Sequence, residues 1–575
     1  MNTLNALLKV VKVSIVTLAF ALFAMPTYAA TIHVNSNDGS ITDVDHTFNL
    51  SNPSLSDQEI TLREAIQLAN GSSSISALNP YECGLIRNDQ TNVAASYGGL
   101  GCVLTGDTIG QGGDTIVFDF TTQTVIEPGN LYPPITKKNI TVQGSNKVVL
   151  DGTGLGTSSN LYGLKFKDAT GGMVTGMTFQ DFSTGSSAGL IIENSNEVQV
   201  GNYDANNPTL HNHFLGNASG VEITTGSENT ILINNFIGNN GSQADGNIVG
   251  VYISGSNNSH IGTAAYGNSI GGNNINIAFE NANDNTVENN FIGVVPTVPT
   301  TAFYGNDIGV MIDINSDGNV ITENMIGGSG DGGVTVGTGS VETVIRLNTF
   351  TNMGVGALPI SLDTSANNNI DAPVITAATN NMVQGTAEGL PDGSFVDIYI
   401  ARNANEAQQF VATVLVEDDE FIMLDTQLPE ILQYITANST YHSGTVEYSS
   451  EFTAFLNDTD GDGLTDVSEN VWGTDENDID SDDDGLVDGD EDTNSNGILN
   501  TGESDPTNPC DPADAPNHDV VCADEPDEPD EPEDFDDDDD GVLDVDDNCP
   551  VTANPLQEDC DDNFDSTCTV ATCII

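Results

Sequence analysis

The chain has 575 residues and carries 86 acidic side chains against 11 lysines and arginines, a formal net charge of -75. That length accommodates several domains. The charge excludes nucleic acid and anionic membrane surfaces as partners, and acidic polysaccharides too unless calcium bridges the two.

Residues 1–29 read as an export signal. Lys9 and Lys12 precede an apolar run over 13–23, followed by Pro26 and a Thr27-Tyr28-Ala29 cleavage pattern. The run is short for a membrane span, no other stretch is a candidate for one, and no cysteine near the cleavage point could carry a lipid. The expected location is secreted, extracellular or at the cell surface. Cys83, Cys102, Cys510, Cys522, Cys549, Cys560, Cys568 and Cys573 all lie beyond the signal. An even number in an exported chain points to disulfides. Cys83–Cys102, Cys510–Cys522 and Cys568–Cys573 are local candidates, although the tail cysteines alone allow about fifteen connectivities. None has the paired Cys/His spacing of a zinc site.

Over 31–370 the pattern is that of a capped solenoid. After a strand at 31–34, Ser56 and Glu59 suggest a capping box. Leu62, Ala65, Ile66 and Ala69 recur at helical spacing until Gly71, which places Arg63 and Glu64 on the solvent face. From about 140, short β-branched runs alternate with Gly, Asn, Ser and Asp. Similar blocks start at Leu164, Leu190, Val221, Val251, Ile275, Val310 and Val334. Such intervals suit one coil of a parallel β-helix, with loops inserted in the longer ones. Val, Ile and Phe would point inward and stack from coil to coil. Asn235, Asn290 and Asn324 fall at matching corners and predict an internal amide ladder. A β-sandwich is the rival fold, but it does not need so many near-repeats.

These blocks resemble the right-handed β-helix of the pectate-lyase-like superfamily. Leu62-Arg63-Glu64-Ala65-Ile66, with Asp114-Thr115-Ile116-Val117-Phe118, resembles the N-terminal cap of secreted bacterial β-helix proteins. The resemblance implies polysaccharide lyases and glycosidases among the relatives, so activity has to be sought in the groups present. In the pectate-lyase-like enzymes the base is an Arg or Lys, and between 168 and 370 the sequence offers only Arg346. Glycoside hydrolysis needs two carboxylates. The loops carry Asp204, Asp245, Asp284, Asp307, Asp313, Asp317 and Asp331, but no adjacent Asp pair and no Gly-His-Gly. His211 and His213 share a strand face and invite a metal, yet no third ligand accompanies them or His260. Glu222, Glu288 and Glu323 suggest one solvent face that could bind carbohydrate. On this count the sequence leans against an enzyme.

Residues 371–456 read as a β-sandwich, with strands at 374–377, 382–385, 396–400, 410–416, 421–424 and 448–455 and a turn at Pro391-Asp392-Gly393. Val383-Gln384-Gly385-Thr386-Ala387 and Ser449-Ser450-Glu451-Phe452 resemble bacterial immunoglobulin-like modules. That implies a spacer, which could also cover the end of the β-helix.

The region 457–575 holds 42 acids and no lysine or arginine. Carboxylates recur at loop positions 1, 3, 5, 9 and 12, with glycine at 6 and a backbone carbonyl at 7, the ligand spacing of a calcium loop. The first loop is Asp458, Asp460, Asp462, Leu464, Asp466 and Glu469. The second is Asp480, Asp482, Asp484, Leu486, Asp488 and Glu491. The third is Asp492, Asn494, Asn496, Ile498, Asn500 and Glu503, and the fourth is Asp536, Asp538, Asp540, Val542, Asp544 and Asp547. The rival is a disordered, solubilising tail. So little apolar sequence lies here that Ca2+ and disulfides would have to supply the order. An acidic, proline-rich linker occupies 510–535. Beyond it, Asp536-x-Asp538-x-Asp540-Gly541 through Asn548-Cys549-Pro550 and Asn554-Pro555-x-Gln557 resembles the thrombospondin type 3 repeat, which implies calcium at the fourth loop. EF-hand and dockerin arrangements fit less well, since Asp492 follows Glu491 with no helix between.

The expected architecture is all-β: a right-handed parallel β-helix solenoid, a β-sandwich and a calcium-bound irregular tail. The expected role is that of a secreted or cell-surface calcium-binding protein, adhesive or structural, with polysaccharide or cell-surface ligands. The alternative is a carbohydrate-active enzyme, a polysaccharide lyase or glycoside hydrolase, using the β-helix groove.

Overall fold

The structure is a computed structural model. It describes residues 29–37, 59–72, 80–88, 94–98, 101–104, 109–491 and 503–510. Breaks fall at 204–209, 242, 297–300, 380–381, 401–405, 425–433, 454–455 and several positions between 458 and 471. Residues 1–28, Ser56, most of the third loop, residues 511–535 and the fourth loop lie outside these residues.

Coil follows coil in parallel register. Tyr162–Lys167, Ala188–Glu193, Ser219–Ile223, Val249–Ser254, Ile275–Glu280, Asn306–Ile312, Ser329–Val336 and Leu358–Leu362 form an eight-stranded sheet, every neighbour parallel. The second half of each coil feeds a larger sheet, through pairs of short strands such as Thr286–Glu288 and Phe291–Ile292. Strand alternation sends one set of side chains inward. Leu164, Leu190, Val221, Val251, Ile277, Val310, Val334 and Ile360 stack as one buried row. Phe166, Ile192, Ile223, Ile253, Phe279, Ile312 and Val336 form the next. Immediately before the first of these rows several coils carry a glycine, because the adjoining coil's backbone runs too close for a side chain. A Cβ on Gly220 would lie 2.6 Å from the Gly250 carbonyl oxygen. Gly220→Ala is therefore expected to destabilise the β-helix by about 1–3 kcal/mol in urea unfolding.

The amide ladder exists and is longer than the three asparagines expected. Asn212, Asn235, Asn268, Asn290, Asn324 and Asn348 stack in the interior. Each side-chain amide from Asn212 to Asn324 donates to the Oδ1 of the next, at 2.8 to 3.0 Å. A second file runs through Asn217, Asn247 and Asn273.

The first end of the solenoid is covered by the helix Leu62–Ala69, whose Leu62, Ala65, Ile66, Leu68 and Ala69 enter the core. Two expectations are corrected here. The capping box is Thr61 with Glu64, five residues beyond the one read from Ser56 and Glu59. The Thr61 hydroxyl accepts from the Glu64 amide, and the Glu64 carboxylate accepts from the Thr61 amide at 2.8 Å. Arg63 and Glu64 are accordingly not a solvent face. Glu64 is buried by its capping role, and Arg63 donates to the carbonyls of Asn130 and Leu131 over the Tyr132 ring. A disulfide joins Cys83 and Cys102. Cys510 is also disulfide-bonded.

The other end meets two antiparallel sheets. Val374–Thr379, Met382–Thr386 and Glu420–Leu424 form one. Phe395–Ile400, Gln409–Leu415, Tyr434–Ser443 and Val446–Phe452 form the other. They share a core of Ile375, Val383, Phe421 and Met423 with Val396, Ile398, Ile435 and Ala437. The strand Tyr434–Ser443, not foreseen in the sequence, pairs with Phe395–Ile400. Its Asn438 amide donates to the Ile345 carbonyl, and Ser449 Oγ accepts from the Ile345 amide, both at 2.9 Å. The backbone of the last coil is thus satisfied by the sandwich rather than left as an open edge.

Candidate functional site

Two places gather chemistry: the second acidic loop, and the outward face of the eight-stranded sheet.

In the second loop, one oxygen of each of several carboxylates takes a backbone amide, which folds the loop around its own acids. Asp480 accepts from Gly485, Asp482 from Asp484, Asp484 from Leu486 and Asp488 from Ser481, at 2.8 to 3.2 Å. The remaining oxygens of Asp480, Asp482 and Asp484 are shut off from solvent and have no hydrogen-bond donor among the described residues. Asp484 is fully buried, and ligand atoms of the three lie within 4.8 Å of one another. Burial, reinforced by the neighbouring acids, pushes Asp482 up to about 6 and Glu491 up to about 8. Anions held this close, without donors, are an arrangement able to hold a metal ion. The turn Asp488–Glu491 brings the last two predicted ligands in. The first loop repeats the pattern. Asp460 accepts from Asp462, Asp462 from Leu464 and Asp466 from Thr459, with Glu469 buried. Asp458 and the positions 492–500 and 536–547 lie outside the described residues, as do Cys522, Cys549, Cys560, Cys568 and Cys573.

On the sheet face, register lines up Lys165, Ile191, Glu222 and Tyr252 as outward neighbours on successive coils. Two residues along lie Lys167 and Glu193. Both lysines grip the Glu193 carboxylate, Lys167 at 2.6 Å, and hold its pKa down. Glu222 is shifted the opposite way, chiefly by burial, with Glu193 adding to the rise and Lys165 opposing it. Tyr252 donates its hydroxyl to Glu280 on the following coil. Tyr162 lies beneath the Lys165 ammonium, 5.6 Å from it.

The other sequence candidates disperse. Glu222 stands on the eight-stranded sheet while Glu288 stands on the larger one, so the single face expected for Glu222, Glu288 and Glu323 does not form. Arg346 is bound bidentately by Asp397 at 2.7 and 2.8 Å, and is not available as a lyase base. His211 gives Nδ1 to the Asn234 carbonyl, and His213 stacks on Phe236 with centroids 5.1 Å apart; burial lowers His213 to about 4. Both rings pack on Phe236, and among the described residues no third His, Cys, Asp or Glu joins them. Asp245 approaches Asp181, both leaning over Gly216, and with Asp151 it raises the Asp181 pKa after burial. Asp204 is outside the described residues. The sequence reading missed Lys165, Lys167, Glu193 and Tyr252. The signal was there, since aligning the coils at Leu164, Leu190, Val221 and Val251 puts Lys165, Glu222 and Tyr252 at one repeat position.

No family model and no curated protein matches the chain. Solved structures similar to it include the enzymatically active domain of bacteriophage CBA120 tailspike protein 2, at 8% identity and TM-score 0.30, covering 59% of this chain and 66% of that one. The chain thus spans just under two thirds of that domain's length. A pectate lyase, Pel9A, is similar at 16% identity and TM-score 0.28, covering 60% of this chain and 78% of that one. A periplasmic alginate epimerase is similar at 13% identity and TM-score 0.26, covering 48% and 66%. The leaning against an enzyme is corrected: the similar structures named here are an enzymatically active tailspike domain, a pectate lyase and an alginate epimerase.

Proposed function

We propose that the chain is an exported, calcium-binding, carbohydrate-active protein whose β-helix works on a polysaccharide. The calcium part is carried by the buried carboxylate oxygens of Asp480, Asp482 and Asp484 that lack donors. Hard oxygens at this spacing suit Ca2+, with Leu486 supplying a carbonyl and Glu491 closing the loop. The loops at 458–469, 492–503 and 536–547 are read the same way. Residues 371–456 serve as an immunoglobulin-like spacer, and 536–575 as a thrombospondin type 3-like repeat. The carbohydrate part takes the place of a purely adhesive role. It is supported by the sheet face that joins acids of opposed pKa shift to two tyrosines.

Adding Ca2+ to chelated protein is expected to raise the melting transition of the acidic region and leave that of the β-helix in place. Asp484→Ala should remove at least about tenfold of the affinity of its loop, by isothermal titration. Identical calorimetric traces with and without chelator would refute the calcium reading. For the β-helix, a panel of neutral and acidic polysaccharides should yield product from at least one. Neither binding nor release from any would refute that part.

A further inference from the structure

We infer that Glu222 and Glu193 form the acid and base of a glycoside-hydrolysing site on the outward face of the eight-stranded sheet, and that its substrate is a neutral polysaccharide. This rests on the polysaccharide reading above. Glu222 lies beside Ile191 on the adjoining strand, and Glu193 is two residues further on, so both side chains leave the same face. Strand spacing of about 4.8 Å and a rise of about 6.6 Å over two residues put their Cα atoms about 8 Å apart.

The two carboxylates are prepared differently. Lys165 and Lys167 keep Glu193 ionised. Glu222 is half-buried, and among the described residues its carboxyl has no hydrogen-bond partner, which leaves it free to carry a proton toward a ligand. Titratable neighbours that set pKa values apart mark acid and base assignments. Tyr162 and Tyr252 lie on the coils either side, Tyr162 beneath the Lys165 ammonium and Tyr252 bonded to Glu280.

Charge selects the substrate. Both lysines of the face are taken by Glu193, leaving no cation there for a uronate carboxylate, and the chain as a whole is a strong polyanion. Elimination from a uronate is therefore disfavoured, and hydrolysis of an uncharged glycan fits. Glu222 gives its proton to the glycosidic oxygen as the bond from the anomeric carbon breaks. Water adds to that carbon, and Glu193 takes the proton the water loses. One water is consumed per bond cleaved, and exchange with solvent returns the proton to Glu222.

The rate should follow a bell in pH. It falls on the acid side as Glu193 protonates against the pull of Lys165 and Lys167. It falls on the alkaline side as Glu222 ionises, against burial and the Glu193 charge and aided by Lys165, with Tyr252 and Glu280 adjoining.

Cleavage of a panel of neutral and uronate polysaccharides by the full chain, with reducing ends counted, tests this. Glu222→Gln and Glu193→Gln should each lose at least about 100-fold in kcat with an unchanged melting profile, and Glu222→Gln should flatten the alkaline limb. Glu288→Gln, on the other sheet, should match the parent. If the parent cleaves a neutral glycan and Glu222→Gln does so equally fast, the site assignment is overturned while the polysaccharide reading stands. Cleavage of uronate polymers alone would overturn the substrate assignment. No cleavage or binding by the parent would overturn both.

Discussion

Replacing Asn290 with alanine is expected to cost the β-helix about 3–5 kcal/mol, read as a lower midpoint in chemical denaturation. The side chain sits at the middle of the long amide ladder. Its Oδ1 accepts from both the backbone and the side-chain amide of Asn268, at 2.9 Å each. Its Nδ2 donates to the carbonyls of Ile261 and Glu288 and to Asn324 Oδ1, at 2.7 to 3.0 Å. Alanine strands groups on both neighbouring coils, and each buried donor or acceptor left unpaired costs about 1–3 kcal/mol. Relaxation of the corner recovers some of that, so the sum is smaller than the parts. Asn274→Ala, at an exposed position of the same region, should stay within about 0.5 kcal/mol. A loss at Asn290 no greater than at Asn274 would show that the ladder is decoration on a solenoid held by its apolar rows.

The solenoid was legible because its physics repeats. An inward position must be apolar on every coil, so the row from Leu164 to Val334 leaves a periodic trace, and the corners leave asparagine. The acidic loops were legible for a different reason: all their ligands are contiguous, so spacing alone carries the geometry. What escaped was phase within the coil. Glu222 and Glu288 look alike in sequence, but a coil has more than one sheet, and the insertions that lengthen some coils hide which sheet a residue falls on. Glu193 and Lys165 escaped because they are outward residues, where nothing enforces repetition. The strand Tyr434–Ser443 was hidden by its composition. Thr436, Asn438, Ser439 and Thr440 are buried, but against the backbone of the last coil and facing strands, so polar groups do the work that alternating apolar residues signal elsewhere.

That same junction gives the second large effect. Asp397→Ala is expected to destabilise the joint between the last coil and the sandwich by about 3–5 kcal/mol. Asp397 is 1% exposed, binds Arg346 through both oxygens and accepts from the Thr413 hydroxyl. The Arg346 guanidinium lies over Phe395, 4.2 Å from the ring centroid. Without Asp397 a mostly buried cation has no counter-charge, whereas removing both charges together leaves none to strand. Arg346→Met with Asp397→Leu should therefore recover most of the lost stability in a thermal melt. The double variant also separates structure from chemistry. If Arg346 were the base of a lyase, the double variant would melt normally and release no product. With Arg346 a structural partner of Asp397, the same protein should cleave polysaccharide at the parent rate, because the acid and base stand coils away on the other sheet.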